Sequence, residues 1–347
     1  MILTTVTYKD SKNSHLFIDV RSPSEYNEDT IPGAINIPIL NDEERKQVGT
    51  AYVQIGKNEA KKLGVKLISP KMPDIYEYVE ELKYKNNQIS AFCARGGYRS
   101  TFFTSVFTSI GIPIAKLEEG YKGYRNEVIN MLPYLNSKIT YVVLHGNTGV
   151  GKTDILHSLN KLGYSVLDLE GAANHRGSFL GSIGLGECNS QKKFETDIYH
   201  QLSNIKSNYV FIEAESRKIG RVVIPKYISR KMETGIHIFI DADIDYRVKS
   251  LEKDYILNES CVQEFIEALD KLNKYISREK IEILKREIIS RNFDFVAAEL
   301  MQNYYDPLYN FKSDMVNYEE IFKAETNCDE IAREIGNWLE KYIINKN

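Results

Sequence analysis

The feature that most constrains the fold is one eight-residue loop. Its sequence is Gly146-Asn147-Thr148-Gly149-Val150-Gly151-Lys152-Thr153, of the form G-x-x-x-x-G-K-T. An apolar run, 139–144, precedes the loop, and residues 154–159 follow it with helical spacing. In such a strand–loop–helix context the backbone amides surround phosphate oxygens, Lys152 pairs with them, and the Thr153 hydroxyl is placed to hold Mg²⁺. The motif therefore predicts a phosphate-binding loop (P-loop) in a domain of alternating strands and helices.

Three further apolar strands are predicted at 165–169, 209–212 and 236–240, and carboxylates lie at or just beyond the end of each. Alternation with helices favours a parallel sheet, whose functional groups gather at the carboxyl ends of the strands. Asp168 and Glu213 are the candidates for a carboxylate associated with Mg²⁺. The alternative is that these carboxylates are solvated strand ends, and the sequence alone assigns no metal ligand.

A second loop places a cysteine between an apolar strand and a helix. It reads Phe92-Cys93-Ala94-Arg95-Gly96-Gly97-Tyr98-Arg99-Ser100. Two glycines let backbone amides turn towards the sulfur, and two guanidinium groups and a helix start favour an anion there, so we expect a lowered thiol pKa. A lone cysteine at a strand end is usually a small buried hydrophobe. Packing alone does not need arginines on both sides of a glycine pair, so Cys93, Arg95 and Arg99 are predicted to form a reactive-thiol site.

The residues before this loop predict a parallel sheet. A short strand, 16–20, leads into Asp19-Val20-Arg21, and the turn Ile31-Pro32-Gly33-Ala34-Ile35-Asn36 leads into the next strand. The order of these motifs and the cysteine loop resembles the rhodanese domain, although Thr30 stands where that domain usually has histidine. Asp19 and Arg21 are interpreted as a structural ion pair.

The sequence as a whole predicts an α/β fold in three segments. These are an N-terminal rhodanese-like parallel-sheet domain at 1–128, a P-loop α/β domain at 129–245, and a helical C-terminal region at 246–347 packed on the P-loop domain. The 347 residues are enough for two domains of ordinary size.

Composition narrows the class of protein. The first residues lack the features of a secretory signal, and no apolar run approaches the roughly 18 residues of a membrane span. The four cysteines are far apart, without a C-x-x-C pair, which favours a reducing cytoplasm. The net charge of −3 means that a nucleic-acid partner requires a local basic patch.

One stretch supplies such a patch. Residues 216–231 contain six basic and no acidic side chains. Arg217, Lys218 and Arg221 are the candidates for contact with a phosphate backbone, although a charge run is more often a solvated face. Upstream, polar donors lie beside glycines in a loop that we expect to close over a phosphate or a nucleobase: Asn174, His175, Arg176 and Ser178.

Together the motifs resemble the tRNA 2-selenouridine synthase family, in family order, from near the N-terminus to about residue 311. The motifs that carry the resemblance are the cysteine loop, Asn41-Asp42-Glu43-Glu44-Arg45 with Val48-Gly49-Thr50, the P-loop, Asp168-Leu169-Glu170-Gly171 with His175-Arg176-Gly177-Ser178, Glu215-Ser216-Arg217 with Ile219-Gly220, and Tyr304-Tyr305-Asp306-Pro307.

The resemblance implies an enzyme that replaces the 2-thio sulfur of a modified wobble uridine by selenium. It implies selenophosphate as the selenium donor, an S-geranylated intermediate, and geranyl diphosphate as the prenyl donor. Cys93 would handle the chalcogen, Arg95 and Arg99 would hold the anion, and the P-loop would bind the diphosphate. The expected partners are the tRNA anticodon loop, from which the base must be extruded, and an enzyme that supplies selenophosphate. No membrane is expected.

Two other functions fit the same motifs. The first is a rhodanese-type sulfurtransferase whose P-loop domain hydrolyses ATP or GTP. The second is a phosphate-gated RNA-binding protein in which Cys93 is only a redox sensor. Selenophosphate-dependent change in tRNA distinguishes the synthase from both.

Overall fold

The computed structural model describes residues 3–178, 180–254, 259–307, 316–325 and 327–346. The chain separates into two units, Met1–Met131 and Leu132–Asn347. The boundary falls inside one long helix, Gly120–Ser137. The finer division at residues 128 and 245 stays a prediction.

The N-terminal unit is built on one parallel sheet. Its strands are β1 Thr5–Val6, β2 Leu16–Asp19, β3 Ile35–Asn36, β4 Ile89–Phe92 and β5 Ala115–Leu117. Its helices are α1 Tyr8–Ser11, α2 Pro23–Glu28, α3 Asp42–Gln54, α4 Lys57–Ile68, α5 Met72–Lys85, α6 Tyr98–Ser109 and α7 Gly120–Ser137, with a 3₁₀ turn at Ser69–Lys71. The sheet order is β1-β5-β4-β2-β3, and every neighbouring pair is parallel.

The middle of this sheet is buried on both faces. All four residues of β4 are buried, as expected for a strand in a parallel sheet. Phe103 and Phe107 of α6 are fully buried in the core that contains β4. On β2, Asp19 forms a buried ion pair with Arg21 at 2.6 Å, which confirms the predicted structural pair. The cysteine loop therefore follows a buried central strand.

The C-terminal unit has a second parallel sheet and a small antiparallel hairpin. Its strands are β6 Thr140–His145, β7 Val166–Leu167, β8 Tyr209–Glu213, β9 Lys218–Ile219, β10 Val222–Val223, β11 Ile236–Asp241 and β12 Glu320–Lys323. Its further helices are α8 Lys152–Lys161, α9 Leu169–Ala173, α10 Gln191–Ser203, α11 Lys226–Glu233, α12 Ile244–Asp254, α13 Glu259–Lys271, α14 Arg278–Ile289, α15 Phe293–Leu300 and α16 Cys328–Lys346, with a 3₁₀ turn at Leu272–Lys274 and a π-helical turn at Met301–Tyr305.

The order of the large sheet is β12-β11-β6-β8-β7, with every neighbouring pair parallel, and β9 pairs with β10 antiparallel. The central strand β6 is buried over four consecutive residues. Helix α8 covers it with Ile155, Leu156 and Leu159, in a core shared with Ile331 and Ile335 of α16. The predicted pair of parallel α/β sheets is confirmed.

Two local predictions need correction. The region 246–347 is predicted to be helical, and the structure adds one strand to it, because β12 joins the edge of the sheet beside β11. Four residues are too few to show a strand period, and their partner strand is remote in sequence. The strand predicted at 165–169 is only Val166–Leu167, because Asp168 caps α9 and ends the extended segment. Among the described helices, none is long and apolar enough to cross a membrane.

Candidate active sites

The cysteine loop is held by the start of α7. The amides of Tyr121 and Lys122 donate to the carbonyls of Cys93 and Ala94 at 2.9 and 3.0 Å. A Cβ on Gly120 would lie 2.1 Å from the Cys93 carbonyl oxygen, so this close approach requires glycine. Sequence reasoning had placed Gly120 only at the end of the domain. Its role could not be predicted, because the start of α7 meets the cysteine loop only in the tertiary structure.

Cys93 lies at the carboxyl end of β4 and is 3% exposed. Its Sγ is 3.2 Å from the Ser100 hydroxyl, in the first turn of α6. Burial raises the pKa of the Cys93 thiol, but hydrogen bonds from the Ser100 hydroxyl and from the amides of Ser100 and Arg95, together with the charge of Arg99, outweigh burial and lower it. The loop therefore stabilises a thiolate, as reactive cysteines require.

The two arginines of the loop differ in their surroundings. Arg99 donates to both carboxylate oxygens of Glu25 at 2.5 and 3.0 Å, and Arg45 of α3 lies 3.7 Å from the same carboxylate. Burial raises the pKa of Glu25, but the hydrogen bonds and charge of Arg99 outweigh this effect, and the pKa is lowered to about 2. Arg95 is exposed. Glu25, which sequence reasoning missed, thus fixes Arg99 beside the thiol.

The P-loop follows β6 and turns tightly through three glycines. Gly146, Gly149 and Gly151 have φ values of +151°, +85° and +79°. A Cβ on Gly146 would lie 2.7 Å from the Ile240 carbonyl oxygen, so the loop packs closely on β11. The Nζ of Lys152 donates to the Gly146 carbonyl at 2.9 Å and reaches across the loop. The loop and the amides at the start of α8 form a cradle suited to a phosphate.

Beside the cradle lies a cluster of three carboxylates. One oxygen from each of Glu170, Glu213 and Glu215 lies within 4.8 Å of the others, and Thr153 donates to Glu170 at 3.2 Å. Burial, followed by repulsion from neighbouring carboxylates, raises the pKa of Glu170 to about 8 and that of Glu215 to about 7. The same causes raise the pKa of Glu213 well above its usual value.

Asp168 and Glu213 were the two candidates for a carboxylate associated with Mg²⁺. Of these two residues, only Glu213 lies in this cluster. Its Oε1 is buried without a hydrogen-bond partner among the described residues. Asp168 instead caps α9 by accepting from the Gly171 amide at 2.7 Å, and it lies 3.0 Å from the Nε2 of His157. Sequence reasoning did not bring Glu170 and Glu215 together, because they follow different strands.

A cavity of about 830 Å³ opens beside the P-loop. Gly146, Asn147 and Glu215 line its polar end. Aromatic and apolar side chains line much of the rest, namely Phe239, Tyr304, Tyr305, Tyr318, Val143 and Met232. Ser178 and Arg217, both predicted to bind substrate or tRNA, also line this cavity. The cavity can therefore hold an apolar or aromatic group next to a bound phosphate.

Two histidines form a pair in the same wall. The Nε2 of His145 lies 2.8 Å from the Nδ1 of His237, and the His145 ring meets Tyr318 edge to face at 5.2 Å. Burial, with the nearby charges of His237 and Lys152, lowers the pKa of His145 to about 4. The His145 imidazole of this pair is therefore neutral near pH 7. Sequence reasoning missed it, because the two strands are paired only in the folded sheet.

The C-terminal helices are linked to the P-loop by one buried arginine. Arg247 of α12 donates through Nε to the Thr148 carbonyl at 2.8 Å, and it holds Asp306 through two further bonds of 2.9 and 2.6 Å. Asp306 follows the π-helical turn that contains Tyr304 and Tyr305. Such turns are frequent at functional sites. The ion pair thus ties the aromatic wall of the cavity to the phosphate cradle.

The cavity wall does not include four other described residues that were predicted to bind substrate or tRNA, namely His175, Arg176, Lys218 and Arg221. The His175 ring is so close to Gly181 and Gly220 that a Cβ on either glycine would lie under 3 Å from it. Arg176 donates to the Ile183 carbonyl at 2.9 Å. Lys218 and Arg221 are exposed in the β9–β10 hairpin, where Arg221 donates to the Asn189 carbonyl at 3.1 Å.

Comparison with known proteins agrees with both units. Residues 139–342 match the model of the tRNA 2-selenouridine synthase AAA domain, and residues 6–127 match that of the rhodanese-like domain. The tRNA 2-selenouridine synthase of Nitrosomonas europaea is 32% identical over 335 residues, which cover 91% of this chain and 86% of that protein. That of Shewanella frigidimarina is 28% identical over 359 residues, 94% of each chain. The chain therefore belongs to the tRNA 2-selenouridine synthase family, enzymes that convert 2-thiouridine in tRNA to 2-selenouridine.

Proposed function

We propose that this enzyme replaces the sulfur of a wobble 2-thiouridine in two steps, through an S-geranylated intermediate. In the first step the sulfur takes the geranyl group from geranyl diphosphate, and diphosphate leaves. In the second step the selenium of selenophosphate attacks C2 of the pyrimidine, sulfur departs as geranylthiol, and water then cleaves the Se–P bond and releases phosphate. The single observation that carries the proposal is the aromatic cavity, which opens beside the P-loop and suits a ligand with a diphosphate head and an apolar tail.

The first step needs charge stabilisation at the leaving diphosphate. The P-loop amides and Lys152 supply donors there, and Gly146 and Asn147 belong to both the loop and the cavity wall. A geranyl chain seated against Phe239 and Tyr304 would keep C1 near the polar end of the cavity. Fixed donors at a developing anion are among the largest contributions to catalysis.

The carboxylate cluster fits Mg²⁺ by its chemistry. Glu170, Glu213 and Glu215 offer oxygen ligands, which Mg²⁺ prefers, and the buried Oε1 of Glu213 lacks a hydrogen-bond partner among the described residues. These residues, with the Thr153 hydroxyl, would hold the ion. Bound there, Mg²⁺ would neutralise charge on the diphosphate.

The second step needs a polarisable nucleophile. We assign chalcogen handling to Cys93, whose thiolate is favoured by Ser100, loop amides and Arg99, and which would assist the transfer of selenium to C2. Arg95 and Arg99 would hold the anionic donor near the thiol. An enzyme that makes selenophosphate is the expected supplier, and the cytoplasm is the expected compartment.

Recognition of tRNA would centre on the anticodon loop. The exposed cations Arg217, Lys218 and Arg221 are suited to its phosphates, and Arg217 also lines the cavity. An extruded base could then enter the cavity and meet the prenyl donor. Asp168, His175, Arg176 and Ser178 remain proposed contributors to this surface, of which Ser178 lines the cavity.

Mass spectrometry of nucleosides tests the proposal directly. Thiolated tRNA is incubated with the protein and geranyl diphosphate, with and without selenophosphate. We expect S-geranyl-2-thiouridine without selenophosphate and 2-selenouridine with it. Selenouridine formed without geranyl diphosphate would contradict the geranylated route. Thiosulfate-to-cyanide transfer with nucleotide hydrolysis, and no change in the tRNA, would favour the sulfurtransferase.

A further inference from the structure

We propose that His145, oriented by His237, accepts the N3 proton of the pyrimidine while its sulfur is alkylated. The inference rests on the proposed geranylation step and adds a residue and a role to it. It starts from two observations, the direct bond between the two imidazoles and their place in the wall of the cavity beside the P-loop.

The chemistry of the step requires a proton acceptor. A sulfur lone pair of 2-thiouridine forms the new S–C bond, and the bond between C1 and the diphosphate oxygen breaks with its electrons on diphosphate. The alkylated ring is then cationic unless N3 loses its proton. Removing that proton leaves a neutral S-alkyl ring, so one proton must pass to a base near the reacting sulfur. No oxidant or reductant is involved.

The fold puts a base at that point. His145 is the last residue of β6 and directly precedes Gly146, the first residue of the P-loop. Its neighbour His237 comes from β11, where it pairs with Val143 of β6 in the sheet register. Both histidines line the cavity. A base held on the central strands, rather than on a loop, is fixed relative to the phosphate cradle.

The hydrogen bonds select the tautomers. The Nε2 of His237 faces the Glu233 carbonyl oxygen at 3.4 Å, which can only accept, so that nitrogen carries the hydrogen. The Nδ1 of His237 is then a bare acceptor for the Nε2–H of His145. His145 therefore keeps a lone pair on Nδ1, available to take a proton.

The surroundings keep this lone pair free near neutral pH. Burial, the partner His237 and the charge of Lys152 all disfavour protonation of His145, and Tyr318 covers its ring edge to face. Glu215 from the β8–β9 connection and Glu233 from α11 are the carboxylates that line the same cavity. Glu215 belongs to the cluster proposed to hold Mg²⁺, and Glu233 is exposed on α11, so we assign the proton to His145. A weak base suffices because the N3–H of the alkylated cation is itself acidic.

Single-turnover geranylation of thiolated tRNA, at saturating geranyl diphosphate, tests the role. His145→Gln should lower the rate about 100-fold near neutral pH, within the range of general base catalysis. Its affinity for geranyl diphosphate should change little, which also shows that the variant is folded. The deficit should shrink as the pH approaches the pKa of the free N3–H, because solvent then removes the proton. The matched control is His15→Gln, a partly buried histidine of the N-terminal unit whose pKa burial also lowers.

A second pair of variants covers the case in which His145→Gln fails to fold. His237→Gln retains an acceptor oxygen for the His145 N–H and should retain most of the rate, whereas His237→Leu, which has none, should show the same pH-dependent deficit. A deficit that is equal at every pH, or no deficit, would overturn the inference. So would a pH-dependent deficit in Glu215→Gln but not in His145→Gln. If the unaltered enzyme forms no S-geranylated nucleoside, the proposed function itself fails.

Discussion

The Sγ of Cys93 lies 3.2 Å from the Oγ of Ser100, across the turn that joins β4 to α6. Both side chains are buried, so the hydroxyl is held against the sulfur and shielded from water. A hydrogen bond to the thiolate is stronger than one to the thiol. The contact therefore has a measurable effect on the titration of the cysteine.

Ser100→Ala should raise the pKa of Cys93 by about one to two units. A hydrogen bond to a charged group is worth about 1.5–3 kcal/mol, and one pKa unit corresponds to about 1.4 kcal/mol. The measurement is the rate of iodoacetamide alkylation of the Cys93 peptide against pH. Ser109→Ala is the control, since Ser109 ends the same helix and bonds only to the Val106 carbonyl among the described residues. An unmoved midpoint would show that Ser100 only packs.

Cys93→Ser should abolish selenation but leave tRNA binding and the melting temperature nearly unchanged. Serine fits the volume of cysteine, but its hydroxyl stays protonated and is a poor nucleophile. Nucleoside mass spectrometry measures the loss, and Cys188→Ser in the other unit is the control. Selenouridine formation at the normal rate by the mutant would exclude a role for the thiol.

Lys152→Ala should block geranylation of 2-thiouridine yet still allow S-geranylated tRNA to be converted with selenophosphate. The lysine belongs to the cradle for the leaving diphosphate, which only the first step requires. Cys93→Ser should do the reverse and accumulate S-geranylated tRNA. Lys161→Ala, in the last turn of the same helix, is the control. If Lys152→Ala also fails on pre-geranylated tRNA, the P-loop acts in selenium delivery instead.

Divalent cation binding should tighten as the pH rises through about 7 to 8. Over that range Glu215 and Glu170, with pKa values of about 7 and about 8, lose the protons that compete with the ion. Calorimetry with Mg²⁺ in buffers of different ionisation enthalpy should therefore detect proton release. Glu213→Gln should weaken the binding, whereas Glu187→Gln, an exposed control, should not. Affinity that is independent of pH would contradict a site at this cluster.

The same carboxyls should make the stability of the cation-free protein fall as the pH rises from about 4.5 to about 8. Their folded-state pKa values exceed the usual value of 4.5, so their contribution is fully present below about pH 4.5 and is lost as the pH rises through about 7 to 8. Denaturant unfolding below about pH 4.5 and above about pH 8 measures the fall in the free energy of unfolding. Glu170→Gln should reduce its size, since it removes one of the titrating groups. An equal fall in that variant would assign the effect to other residues.

Reversing Arg217, Lys218 and Arg221 to glutamate should weaken tRNA binding and flatten its salt dependence. Each lost phosphate contact should reduce the slope of log affinity against log salt by up to about 0.9. The control reverses three exposed cations near α13 and α14, Lys271, Lys274 and Arg278. An unchanged slope in the first variant would mean that the hairpin is only a solvated face.

The sequence by itself determined those features that depend on residues close together in the chain. Glycines at 146, 149 and 151 permit the positive φ values of the P-loop, and the apolar run before them can only be a buried strand, so loop and sheet were predictable together. The Cys93 loop was predictable for the same reason, since its donors lie within a few residues of the sulfur. The ion pair of Asp19 with Arg21 spans only two residues.

Tertiary structure alone decided the contacts between distant segments. Glu25 and Arg99 are 74 residues apart, and His145 and His237 are 92 apart, so no local period links either pair. Glu170 and Glu215 meet because parallel strands deliver their loops to one edge of the sheet, where burial then changes their titration. These pairs depend on strand order, which is set by the packing of the whole unit and is not encoded in any single motif.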